Sequence, residues 1–242
     1  MAATASSLNH GLLSVRGRLV RRLFYRAWKS YIIRHAQKLI MNIEHEVKEE
    51  NPFPMPTIIL CTYTKLDDFM ILMNVFKEHD LVLIAPEELP KHKLIKRLKT
   101  FNQILYVKNH KFDFLFIKRF LMSLQNFNRS IVVPPAAGDA FIKDFSFNHA
   151  NLVRLAMKAN VPIQPVIINW SQQNSYSHQK CRVFIGNRLF ISPRHPDFKD
   201  IFFKKRGARK LAKLMRDEYE EIGLRIMNKF NQLKGQYGTN LS

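Results

Sequence analysis

Few side chains in this chain are spaced for acid–base or metal chemistry. His195 and Asp200 have the H-x4-D separation that can pair an imidazole base with a carboxylate to orient it. With nine His and nine Asp in 242 residues, about one third of such a pair is expected by chance. The stretch is also polar, contains proline and follows the last apolar strand pattern. His110 and Asp113 stand three apart before an apolar run, where helix capping accounts for the aspartate. Cys61 and Cys181 are distant and form no C-x-x-C pair, which argues against a thiolate metal site or a disulfide scaffold. The eight Gly include no G-x-G and no Walker spacing, so nucleotide-cradling loops are excluded. No cofactor or metal is expected.

Charge is the stronger signal. Thirty-nine Lys and Arg against 19 Asp and Glu give +20, a balance that calls for a polyanionic partner. The excess is concentrated: Lys91 to Arg129 holds ten cations and one acid, and Lys180 to Arg216 holds twelve and two. An anionic phospholipid membrane is the expected partner. Nucleic acid is the weaker alternative, because no recognition motif is present and the phenylalanines fit helical core spacing. The longest uncharged interior span, Ala159 to Gln179, turns polar from Ser171 and does not suit hydrocarbon, so a membrane would be touched from one side.

The elements that must carry these residues follow from periodicity. The first acid is Glu44, and eight Lys or Arg precede it. On a helix, Val20, Phe24, Ala27 and Tyr31 share a face flanked by Leu23 and Trp28, with Arg18, Arg22, Arg26 and Lys29 opposite. Three readings compete. The segment is a mitochondrial import signal. Or it is an interfacial helix in which Arg18, Arg22, Phe24, Arg26, Trp28 and Lys29 bind the membrane. Or it is a surface helix packed on the domain. Residues 1–50 are accordingly read as a basic amphipathic segment and 51–242 as one domain. In that domain, apolar runs predict strands at Thr57–Leu60, Leu81–Ala85, Ile104–Val107, Ile131–Val133, Ile163–Ile168 and Cys181–Ile185. Helical spacing falls between them, and a closing helix with a break is predicted from Lys204 to Lys234. The alternation predicts an α/β fold: a mostly parallel central sheet with helices on both faces, preceded by the basic N-terminal helix.

The order of these pieces, and Leu155-Ala-Met-Lys-Ala-Asn-Val-Pro-Ile-Gln-Pro-Val-Ile-Ile168 above all, resembles the glycerolipid acyltransferases of the lysophosphatidate acyltransferase (PlsC-like) type. The family's first block, N-H-x-S-x-x-D, corresponds to Cys61-Thr62-Tyr63-Thr64-Lys65-Leu66-Asp67. The aspartate stands at Asp67, but Thr62 occupies the place of the histidine base, and a threonine hydroxyl cannot take a proton near neutral pH. The block that would end in arginine ends in Lys108, and the F-P-E-G-T-R-S block is replaced by Val133-Pro134-Pro135-Ala136-Ala137-Gly138-Asp139. Lys108, Pro134 and Asp139 thus hold the substrate-phosphate positions. The resemblance implies a degenerate acyltransferase fold, and the charge and Arg-rich start add the expectation of a structural or lipid-binding accessory subunit at an anionic, mitochondrial membrane, within a larger mitochondrial protein complex. The competing implications are an active 1-acylglycerol-3-phosphate acyltransferase, a basic accessory protein of an organellar ribosome, or a protein on the cytoplasmic face of a membrane.

Overall fold

The computed structural model describes residues 20, 23–46, 55–62, 66–86, 93–101, 103–107, 113–135, 148–170, 180–203, 214 and 216–238. Helix α1 covers residues 23–39 and leads into β1, Ile40–His45. There follow β2 (Ile58–Cys61), α2 (Leu66–Val75), β3 (Asp80–Pro86), α3 (Lys93–Thr100) and β4 (Ile104–Val107). The second half adds α4 (Phe114–Gln125), β5 (Arg129–Val133), α5 (His149–Ala159), β6 (Ile163–Trp170), β7 (Cys181–Ile185), α6 (Lys199–Phe203) and α7 (Arg216–Gly238). Local chemistry sets the helix ends. Asp113 caps α4 by accepting from the Phe116 amide at 2.6 Å, and Asn148 caps α5 by accepting from the Ala150 amide at 2.9 Å. Helix α5 stops at Asn160, which adopts the left-handed conformation at φ 55°, one that asparagine tolerates better than most residues.

The seven strands form one sheet in the order β1-β7-β6-β2-β5-β3-β4. Every neighbouring pair is parallel except β6 and β7. Both faces are covered, which is why the strands read as unbroken apolar runs. Ile58 and Leu60 of β2 enter one core with α4, α5 and α7. Ile59 and Cys61 enter the other, with α1, α2 and α3.

Three features differ from expectation. First, the sheet has a seventh strand: β1 pairs along β7, with Ile43 opposite Val183, so part of the 1–50 segment belongs to the sheet built by 51–242. Second, α1 turns a different stripe inwards. Trp28, Ile32 and Ala36 are buried at 7%, 5% and 0% exposure, whereas Val20, Leu23, Phe24 and Tyr31 remain exposed. Residues 28, 32 and 36 recur at helical spacing roughly a third of a turn from the 20–24–27–31 stripe. The helix thus carries two apolar stripes, and only the fold selects which is inside. Trp28 and Lys29 therefore leave the membrane-binding set. Trp28 packs against Tyr25 and Phe101, and the Lys29 ammonium donates to the His79 carbonyl at 2.7 Å and pairs with Asp80 at 3.5 Å. Phe24 and Arg26 are exposed, while Arg18 and Arg22 lie outside the described residues. Third, a short helix not expected, α6, precedes the span read as the closing helix; α7 supplies that helix from Arg216, and residues 204–213 lie outside the described residues.

Candidate functional site

The topology itself makes a crevice. Strands β2 and β5 are parallel neighbours, with Leu60 opposite Val133. After β2 the chain enters α2 on one face of the sheet, and after β5 it enters α5 on the other. Adjacent strands whose connections leave to opposite faces part at their C-terminal ends, and ligands of open α/β sheets bind in the gap. Within two residues beyond Leu60 and Val133, Thr62 and the pair Pro134–Pro135 stand at this opening. The structure thus brings together the two blocks that the sequence singled out.

Within the crevice, Thr62 Oγ1 is buried and has no hydrogen-bond partner, while the Thr62 carbonyl accepts from the Cys61 thiol at 3.3 Å. Pro134 and Pro135 are buried and offer no N–H to a ligand. Asp67 is half-buried in the first turn of α2, beside the buried Asp68. Asp68 is the carboxylate that turns inwards: it is 3% exposed and accepts from the Trp170 indole N–H at 2.7 Å. Its negative charge adds to burial in pushing the Cys181 thiol up to about 12, so that cysteine is no nucleophile. Lys108 and Asp139 lie outside the described residues.

Among the described residues, no histidine is hydrogen-bonded or ion-paired to Thr62 or Asp67. His149 opens α5 and packs against Gly223 of α7, and burial lowers its pKa. His195 and Asp200 do not form a dyad. Asp200 is held in a two-pronged pair by Arg225, at 2.7 and 2.6 Å, a hydrogen-bonded arrangement that draws its pKa down to about 2. His195 instead neighbours Asp197, whose amide donates to its Nδ1 at 3.3 Å. Asp113 is a helix cap, and His110 lies outside the described residues. No cluster of three metal-binding side chains occurs among the described residues.

Sequence reasoning missed Asp68 and a second polar centre at the opposite edge of the sheet. There His79 Nδ1 lies 2.7 Å from Ser130 Oγ, and the Tyr25 hydroxyl donates to Asp80 at 3.1 Å and accepts from the Gln103 amide. These groups dock α1 on the sheet. A hollow of about 140 Å³ near the end of β1 is lined by Glu46, Pro165, Asn187 and Lys229 among others. Its charges are engaged: Glu46 accepts from the Asn187 amide at 3.0 Å, and Lys229 is ion-paired with Asp197.

No protein-family model and no curated protein matches the chain. Among solved structures it is similar to the 1-acyl-sn-glycerophosphate (LPA) acyltransferase PlsC from Thermotoga maritima. The identity is 17%, 88% of this chain and 82% of that chain are covered, and the TM-score is 0.49.

Proposed function

We propose that this protein is a catalytically degenerate acyltransferase-like subunit that holds lipid, or organises a complex, at an anionic membrane, and that the membrane is mitochondrial. One observation carries the reading: the crevice between β2 and β5 presents a buried, unpartnered threonine hydroxyl and two prolines where acyl transfer needs a base and polar phosphate ligands. Loss of the base from a cooperating catalytic unit costs about 10⁴ to 10⁶ in rate. The apolar strand blocks that shape the crevice are intact, which supports retention of the fold for binding. The basic stretches and the outward stripe of Val20, Leu23, Phe24 and Tyr31 support contact with anionic lipid, at about 1 kcal/mol per cation near the surface. The Arg-rich, acid-poor start of the chain supports mitochondrial import.

The test is direct. With an acyl thioester and 1-acylglycerol-3-phosphate, the unmodified protein should give no product above background. Any gain should require at least Thr62→His together with Pro135→Glu. Acyl transfer by the unmodified protein at ordinary enzymatic rates would overturn the degenerate reading. Purification from the native source should bring down phospholipid or a protein complex, and recovery of RNA alone would count against the membrane.

A further inference from the structure

Phe114 is 81% exposed and Leu115 beside it is 50% exposed, although both sit on a helix whose other face is core. Phe116, Phe120 and Leu124 fix α4 to the sheet; the two outward residues contribute nothing to that packing. Lys118 and Arg119 follow four residues later and are also exposed, so the four side chains form one outward patch at i, i+4 spacing. Asp113, the carboxylate that adjoins the pair in sequence, is occupied as the helix cap. Helix α4 follows β4 and returns the chain to the start of parallel β5, so its first turn lies towards the strand-end edge that holds the crevice.

We propose that Phe114 and Leu115 form a wedge that enters an anionic bilayer and turns the crevice edge towards the lipid; this rests on the membrane reading above. The order of chemistry along α4 carries it. The apolar pair comes first and the cations one turn later, about 6 Å along the axis. A bilayer is layered in the same order: acyl chains at the depth such a wedge reaches, about 5–10 Å, and phosphates above them. Inserted tip-first, Phe114 and Leu115 lose contact with water while Lys118 and Arg119 meet phosphate. A duplex polyanion, whose bases are stacked inside, would match the cations and leave the phenylalanine in water.

The experiment uses the full chain and vesicles of phosphatidylcholine with and without phosphatidylglycerol. Phe114→Glu with Leu115→Glu should cut binding to the anionic vesicles by at least about tenfold without changing the melting temperature. Phe114→Trp should add fluorescence that brominated acyl chains quench. If wild-type protein binds the anionic vesicles but the double variant binds equally, or the added tryptophan is not quenched, the wedge is wrong and the membrane reading survives. In that case Phe24→Glu with Tyr31→Glu identifies α1 as the contact. If wild-type protein does not bind anionic vesicles at all, the wedge and the membrane reading fail together.

Discussion

Ser130 Oγ accepts from the Thr57 amide at 3.1 Å and lies 2.7 Å from His79 Nδ1, hydrogen-bonded to it in a direction set by the imidazole tautomer. Burial, helped by the positive charges of Arg188 and Lys29, lowers the His79 pKa to about 4. In the unfolded chain the same ring titrates at about 6.5. Between those two values the unfolded state binds a proton that the folded state refuses, so stability is full above about pH 6.5 and is lost as pH falls towards 4. The contribution approaches roughly 1.4 kcal/mol per pH unit within that window. Urea unfolding at several pH values should show this slope, and His79→Gln should make it shallower; an unchanged slope would place the acid sensitivity elsewhere. The pair spans 51 residues of sequence, and no local pattern announces it. Asp68 was more accessible to reasoning. The stripe Phe69, Leu72, Met73 and Phe76 points α2 at the core, and helical period puts Asp67 on the far side and Asp68 nearer the core. The family block marks the end of β2 and singles out Asp67, but passes over its neighbour Asp68, the carboxylate that turns inwards.

The contact between α5 and α7 depends on Gly223. A Cβ there would stand 2.7 Å from His149 Cβ and 3.0 Å from its backbone carbon, and backbone cannot swing aside as a flexible side chain can. Gly223→Ala should therefore destabilise the protein by about 1–3 kcal/mol as the helices are forced apart. Gly235, on the same helix, has nothing within 4 Å of its added Cβ. Gly235→Ala should gain about 0.5–1 kcal/mol from helix propensity alone. Thermal melts of the two variants shifting in the same direction would refute the assignment of close approach to position 223. At this scale most of the fold was legible. Six strands fall within two residues of their apolar runs, because burial on both faces makes each run nearly continuous. Strand β1 was not legible. Ile40-Met-Asn-Ile-Glu-His alternates apolar and polar residues only weakly, and it continues directly from a helix. Its extended state comes from pairing with β7, which lies far along the chain.

Across the whole molecule, α1 and β1 tie the start of the chain to both ends of the sheet. Lys29 reaches the start of β3, whereas Ile40 opens β1 at the opposite outer strand. Removing residues 1–39 would take Trp28, Ile32 and Ala36 out of a core that includes Phe69, Leu72 and Val183. Loss of the tryptophan alone should cost about 3–5 kcal/mol. The truncated chain should melt well below the full one and expose apolar surface to a dye such as ANS; equal melting would mean that α1 is an appendage. Any import processing that leaves a stable fold must then cut upstream of α1. The same pairing governs how the protein comes into being. During synthesis β1 emerges first and its only strand neighbour, β7, emerges sixth among the six that follow. Until then β1 has no strand to pair with, although α1 can already settle on His79, Asp80 and Phe101, and closing so long a loop slows the final step. Of the seven strands, the first in chain order is thus the last to find its partner.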